Sequence, residues 1–223
     1  MLLSIFSETG LRTSTLSEYP GDLLSPVFDN VDLYYTKTLT LPPHQVLCRA
    51  LSLFSAEGIG SCNALDLGCG SGRDTVEILK QGWRVLAIDS EKLAIDYLSA
   101  RKDLLNPENL TTNLLRLEEF SSVPVELVNA ALALPFCPPE AFPKVWQNVL
   151  ESLSSGGRFS GHFFGDRDTW AAHPMQSHHT RGAVLSLLGA FEIEHLEEIE
   201  DDDPALDGEV KHWHVFHVVA RKI

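Results

Sequence analysis

No stretch of the 223 residues comes near the roughly 20 consecutive apolar positions that a membrane-spanning helix needs. The apolar start Met1-Leu2-Leu3 runs at once into Ser4, Ser7 and Glu8, without the basic segment and long apolar core of an export signal. Cysteine is scarce. Cys48, Cys62, Cys69 and Cys137 have neither the paired spacing of a zinc site nor the density of a disulfide scaffold, which points to a metal-free protein of a reducing cytoplasm. Cationic residues are few as well: 17 Lys and Arg stand against 31 Asp and Glu, a formal net charge of -14. Such a surface repels nucleic-acid phosphates and anionic membranes, so neither is expected as a partner. What is present is globular in character, 44% apolar and 22% charged. At roughly 150 residues per domain the length predicts one domain over 1–223, an N-terminal arm over 1–42 and a core with a leading helix over 43–223.

The first 40 or so residues are polar, rich in Ser and Thr and turned at Pro20-Gly21, with one dense aromatic spot at Tyr34-Tyr35. Beyond Pro42-Pro43, apolar residues at Val46, Leu47, Ala50, Leu51 and Phe54 predict a helix over about 43–56. From residue 63 strands and helices alternate. Strands are expected at 64–67, 84–88, 113–117, 125–131 and 158–164, and helices at 74–80, 92–100, 139–152 and 181–188. Two further strands, 191–199 and 210–221, have no helix between them, only an acidic loop around Glu200–Asp207. The pattern predicts an α/β, doubly wound, mainly parallel seven-stranded sheet with helices on both faces and an antiparallel C-terminal hairpin. Eight of the twelve residues from Glu192 to Asp203 are acidic, and a solvated strand edge is their ordinary explanation.

The most informative segment is Leu65-Asp66-Leu67-Gly68-Cys69-Gly70-Ser71-Gly72, between a predicted strand and a predicted helix. Glycine tolerates positive φ and carries no side chain, so the backbone can pass close beneath a small molecule. In an open parallel sheet this is where ligands bind. Asp89 ends the next strand 21 residues after Gly68, the position of an exposed acid that accepts from ribose hydroxyls. Together they indicate a nucleoside-containing cofactor. The dinucleotide fingerprint would put its third glycine where this chain has Arg73.

The spacing Gly68-x-Gly70-x-Gly72, with an acid two residues earlier, resembles motif I of class I S-adenosylmethionine-dependent methyltransferases. The resemblance continues through Asp89, Glu118-Glu119-Phe120, Leu127-Val128-Asn129-Ala130 and Leu153–Phe159, and spans about residues 60–221 in order. Gly72-Arg73-Asp74 and the aromatic arm are most similar to the small-molecule tellurite-resistance and thiopurine types. The family fold is Rossmann-like and closes with an antiparallel hairpin, and its cofactor is S-adenosyl-L-methionine. The resemblance implies that Asp66 fixes the glycine loop and attracts the cofactor ammonium, that backbone at Gly68, Cys69 and Gly70 approaches the methionine part, and that Asp89 holds the ribose. It also implies that Ser90 lies beside the adenine, that Glu118 or Glu119 meets the adenine amino group, and that Asn129 and Ala130 lie near the methyl. Arg73 is either a partner of the cofactor carboxylate or a surface arginine. Tyr35 either covers the sulfonium with its ring or packs the arm onto the core.

For the acceptor side, Phe136 and Trp170 are expected to form an apolar wall, with His162 and His178 as candidate contacts. His162, Asp166 and His178 are the candidates for a base, needed only if the acceptor must lose a proton. On the last strand His212 and His214 share a face and His217 points the other way, so they do not converge on a metal. The reading is therefore methyl transfer to a small-molecule acceptor by in-line displacement. A non-catalytic sensor of S-adenosylmethionine or S-adenosylhomocysteine is the alternative, and an NAD(P)-dependent oxidoreductase a more distant one.

Overall fold

Alternation of buried side chains along the strands sorts the core into two layers. The computed structural model describes residues 31–204 and 210–223, so Met1-Leu2-Leu3 and the Pro20-Gly21 turn lie outside the described residues. In chain order the elements are α1 (Val31–Thr38), α2 (Gln45–Ala56), β1 (Asn63–Leu67), α3 (Arg73–Lys80), β2 (Arg84–Asp89), α4 (Lys92–Ala100), β3 (Leu110–Leu114) and β4 (Val125–Ala130). They continue as α5 (Phe142–Ser152), β5 (Leu153–Gly165), β6 (His178–His179), α6 (Arg181–Leu187), β7 (Phe191–Pro204) and β8 (Val210–Lys222). The sheet order is β3-β2-β1-β4-β5-β8-β7, with the short β6 also pairing β5. The first five of these strands are parallel, and β8 is antiparallel to both β5 and β7. Among the described residues no helix is long and apolar enough to cross a membrane.

Leu65, Val128 and Val218 pack on one face of the sheet with Val145, Trp146 and Val149 of α5 and Val184 of α6. Their sequence neighbours Ala64, Leu127 and Val219 face the opposite layer, made by α2, α3 and α4. Strands covered on both faces are largely apolar, which is why β1 and β4 are short apolar runs interrupted within only by Asp66, Glu126 and Asn129. The helices instead show one apolar face, as α2 does through Val46, Leu47, Ala50, Leu51 and Phe54.

Four boundaries differ from the sequence reading for identifiable reasons. The third strand is Leu110–Leu114, not 113–117, because Leu110 to Leu114 take the register with Val85 to Asp89 while Leu115 and Leu117 leave the sheet to line a cavity. Tyr34-Tyr35 lies in a helix, α1, which has too few apolar positions to declare itself. It is held by a Tyr97 hydroxyl that donates to Asp32 at 2.7 Å and by Thr38 Oγ1 2.8 Å from Ser71 Oγ. The acids Glu200 to Asp203 belong to strand β7, not to a loop. His178-His179, expected beyond the fifth strand, forms a strand alongside its end, pairing with Phe164 and Gly165.

Candidate functional site

The loop after β1 turns because three glycines take left-handed backbone, φ +67° at Gly68, +53° at Gly70 and +85° at Gly72. Its fold is held from the neighbouring strand. The amides of Gly68 and Cys69 donate to the Ile88 carbonyl at 2.8 and 3.0 Å, and the Gly70 amide donates to Asp89 Oδ2 at 2.8 Å. Asp89 Oδ1 accepts from the Glu91 amide at 2.9 Å. The sequence suggested an exposed acid at this strand end, but Asp89 is only 8% exposed because the glycine loop folds over it. Burial pushes its carboxyl above the usual range, against the opposing backbone amides.

Beneath the loop lies a buried polar chain. Thr75 Oγ1 donates to Asp66 Oδ2 at 2.5 Å, and the Asn129 amide donates to Asp66 Oδ1 at 2.9 Å and to Asp74 Oδ2 at 3.0 Å. The Ser160 hydroxyl in turn donates to Asn129 Oδ1 at 2.8 Å. His44, just ahead of α2, donates to Asp74 through its backbone amide at 2.9 Å and its Nδ1–H at 3.0 Å. Arg73 donates from Nη1 to His44 Nε2 at 2.9 Å and from Nε to the Pro42 carbonyl. The two acids are thereby driven apart. Burial and the charge of Asp74 raise Asp66 to about 7, whereas the His44 contacts and the Asn129 amide overcome burial and lower Asp74 to about 2.

One cavity spans the carboxyl ends of the parallel strands. Of the residues singled out in the sequence it is lined by Tyr35, Asp66, Gly68, Cys69, Gly70, Arg73, Asp89, Ser90, Asn129, Phe136 and Trp170. Gly72 sits instead under Leu98 as the residue before α3, and Ala130 and Phe120 are buried in the core. Glu118 pairs with Arg116 at 3.2 Å and Glu119 accepts from the Arg116 amide at 3.0 Å; neither lines the cavity, whose wall here is Leu115 and Leu117. His162 lies behind it, accepting from the Leu132 amide at 3.2 Å, with its ring 4.4 Å from that of His217. Burial holds both of these histidines below the usual range, that of His217 at about 4. His178 is packed on Phe164, 5.7 Å between ring centres, and Asp166 does not reach the cavity. Burial raises the Cys69 thiol, so it stays protonated and is no nucleophile.

Several lining residues gave no sequence signal as site residues: Thr38, His44, Ser71, Asp74 and Glu91 near the loop, and Ile199, Asp201, Asp203, Trp213 and Val215 on the C-terminal hairpin. Asp201 and Asp203 were expected in a loop, so the strand face that they share with Ile199 was not visible in the sequence. Among the described residues no group of His, Cys, Asp or Glu is arranged to hold a metal ion.

The residues fit a cationic nucleoside ligand. The Tyr35 hydroxyl is buried and has no hydrogen-bond partner among the described residues, although its ring lines the cavity. A Cβ on Gly70 would occupy the space beside that ring, 3.7 Å from Cε1. Near the loop the lining carries the carboxylates Asp66, Asp74, Asp89 and Glu91 against one guanidinium among the described residues, that of Arg73, a set of acceptors suited to a sulfonium and an ammonium.

Residues 64–157 match the family model described as a methyltransferase domain. The fold is similar to that of TehB from Haemophilus influenzae, with a TM-score of 0.68 and 20% identity over 86% of this chain and 66% of that one. It is also similar to the Burkholderia thailandensis 1,6-didemethyltoxoflavin-N1-methyltransferase, solved with 1,6-didemethyltoxoflavin and S-adenosylhomocysteine. That match has a TM-score of 0.61 and 19% identity and covers 95% of this chain and 94% of that one. The N-methyltransferase NodS from Bradyrhizobium japonicum WM9, in complex with S-adenosylhomocysteine, matches with a TM-score of 0.59 and 16% identity over 87% and 99% of the two chains. Comparison with curated protein sequences returned no significant match. Residues 64–157 thus match a methyltransferase domain, on a fold shared with TehB and with methyltransferases solved with S-adenosylhomocysteine.

Proposed function

We infer that the protein transfers a methyl group from S-adenosylmethionine to a small-molecule acceptor bound in the same cavity. The observation that carries this reading is the glycine loop itself. Its left-handed turns are pinned to Asp89 and open onto a cavity that also holds Asp66 and the unpartnered Tyr35 hydroxyl. When bound, S-adenosylmethionine supplies a methyl on cationic sulfur, which an acceptor lone pair takes as the carbon–sulfur pair returns to sulfur.

This chain's residues bind and align. Asp66 takes the ammonium, Asp89 and Ser90 take the ribose, and Leu115 and Leu117 pack against the adenine. Tyr35 closes the pocket from α1 with its ring toward the cation. Arg73 holds the carboxylate, exchanging its contact with His44 for the ligand. With both reactants held in line, the enzyme gains most of its rate from orientation, and a dedicated base is dispensable. Among the described residues the lining includes no basic residue beyond Arg73 and His44.

The test is calorimetric titration of the purified protein with S-adenosylmethionine, S-adenosylhomocysteine and NAD in parallel. Binding of the first two with dissociation constants of about 100 µM or tighter, and none of NAD, is the expected result. Binding of NAD alone overturns the reading. Binding of the first two without turnover on any acceptor would reassign the protein as a sensor.

A further inference from the structure

The cavity continues past β4 to the C-terminal hairpin, where Phe136, Phe164, Trp170 and Trp213 line it. Sheet order places β5, β8 and β7 on the far side of β4. The pairing of β8 with β5 begins at Val215, opposite Phe164, so residues 210–214 and their partners on β7 extend beyond β5 as a two-stranded ribbon. The segment after β5 backs it through the His212 amide on Thr169 and the His214 amide on Asp168. Because β7 runs parallel to β5, the ribbon rises on the side where the glycine loop lies. A strand presents alternate residues to alternate sides. Ile199, Asp201 and Asp203 therefore share one face with their partners Val215, Trp213 and Lys211. Glu198, Glu200 and Asp202 occupy the other, where Arg167, His212 and His214 take their charges.

The inward face is aromatic and rigid. The Trp213 ring centre is 5.4 Å from that of Trp170 and 6.0 Å from that of Phe164, and Phe136 lies 6.0 Å from Phe164. Behind the indoles the Lys211 ammonium lies 3.7 Å from the Trp213 ring centre and 4.4 Å from that of Trp170. Lys211 is 4% exposed and paired with Asp168, also 4% exposed. Its charge is thus matched from behind, and it fixes the rings without lining the chamber. The charged side chains that do line this half are Asp201 and Asp203, at the rim. Arg73, the one guanidinium of the lining among the described residues, lies at the opposite end against Pro42 and His44.

A slot walled by indole and phenyl rings selects flat aromatic molecules. Two carboxylates at its edge, with no cation of the lining nearby, repel anions and favour positive charge, which the ring faces also attract. We propose that the methyl acceptor is a planar aromatic molecule carrying a positively charged nitrogen, held between Trp170, Trp213 and Phe136 with its charge at Asp201 and Asp203. The proposal rests on the methyltransferase reading for calling this ligand the acceptor. It sets this chamber apart from one built for an oxyanion.

Three probes of one shape separate the contributions: 2-naphthylmethylamine, 2-naphthalenemethanol and 2-naphthoate. Each is titrated calorimetrically into the full chain, with and without saturating S-adenosylhomocysteine. The amine binds about tenfold more tightly than the alcohol, and the carboxylate binds more weakly than either. In the Asp201→Asn/Asp203→Asn double variant the amine and alcohol fall within about twofold of each other, while S-adenosylhomocysteine affinity is unchanged. A carboxylate that binds as tightly as the amine overturns the proposal. So does a double variant that keeps the preference, or S-adenosylhomocysteine binding with no probe binding at all. If the amine preference holds but S-adenosylhomocysteine does not bind, the chamber stands as a cationic aromatic site and the methyltransferase reading falls. If nothing binds, both fall.

Discussion

Asp74 receives both the backbone amide and the imidazole Nδ1–H of His44, at 2.9 and 3.0 Å. This pair ties the start of α2 to the first turn of α3, 30 residues on, and so sets the wall of the cavity nearest the glycine loop. Asp74→Ala leaves two His44 donors and one Asn129 donor facing an apolar gap. A loss of about 3 kcal/mol in urea unfolding follows, against about 1 kcal/mol for His44→Ala, which keeps the backbone bond to Asp74 and loses the side-chain contacts with Asp74 and Arg73. Equal, small losses in both variants would show that α2 is held by its apolar face alone.

Gly68 and Gly70 separate a structural from a ligand-facing glycine. A Cβ on Gly68 would come within 2.5 Å of the Ala133 Cβ at φ +67°, so Gly68→Ala shifts the loop against the segment after β4. At Gly70 the nearest atom would be 3.7 Å away, leaving only the cost of φ +53°. Gly68→Ala should therefore cost about 2 kcal/mol or more of stability, and Gly70→Ala about 1 kcal/mol. Both should weaken S-adenosylhomocysteine binding at least about tenfold, because the Gly70 methyl enters the ligand space. Retained affinity in Gly70→Ala would sink the assignment of that loop to the cofactor.

Arg158 is fully buried at the base of the sheet, far from the cavity in sheet terms. It donates to Glu194 at 2.7 and 2.8 Å and to Glu57 at 3.1 and 2.5 Å, and lies 4.5 Å over the Phe54 ring. One residue so joins α2 to β5 and β7. Arg158→Ala abandons two carboxylates, one of them mostly buried, and is expected to cost about 3–5 kcal/mol. Arg158→Lys cannot span both acids and should recover less than about half of that loss. Unfolding curves measure both, and full recovery by lysine would mean that charge alone, not the planar fork, is what α2 requires.

The alternation of strand and helix and the C-terminal hairpin were legible because doubly covered strands leave short apolar runs and a missing crossover helix leaves a gap. The glycine loop and Asp89 were legible because their chemistry depends on backbone freedom and position along the chain. His44 and Asp74 were not. Their pairing spans 30 residues, and neither residue type in isolation separates a buried dyad from a surface pair. Nor was the side of the hairpin that faces the site. The acid run from Glu200 read as a loop, and only its pairing in β7 puts Asp201 and Asp203 on one face with Ile199, while the sheet order decides that this face looks inward.

The opposed acids give a pH signature. Asp66 is raised from 3.8 to about 7, mainly by burial and then by Asp74, so the folded state binds a proton that the unfolded state releases. Below pH 3.8 both states hold it and Asp66 contributes nothing. As pH rises from there to about 7 the unfolded state gains, and stability falls until the folded carboxyl also ionises. Asp74 has the opposite sign: lowered to about 2, its contribution is complete above its ordinary value of 3.8 and is lost only as pH drops through about 2. Between pH 4 and 8 it is therefore constant. Asp66→Asn removes the Asp66 slope while keeping an acceptor for Thr75 or Asn129. The variant should melt a few degrees higher than wild type at pH 8, the gap closing near pH 4. It should also bind S-adenosylmethionine at least about tenfold more weakly, since the cationic ligand needs the ionised acid. Calorimetry in two buffers of different ionisation heat reads the same linkage, as proton release by the wild type at pH 6.5 that is absent in Asp66→Asn. A variant less stable than wild type at pH 8 would mean that the folded protein ionises Asp66 well below pH 7.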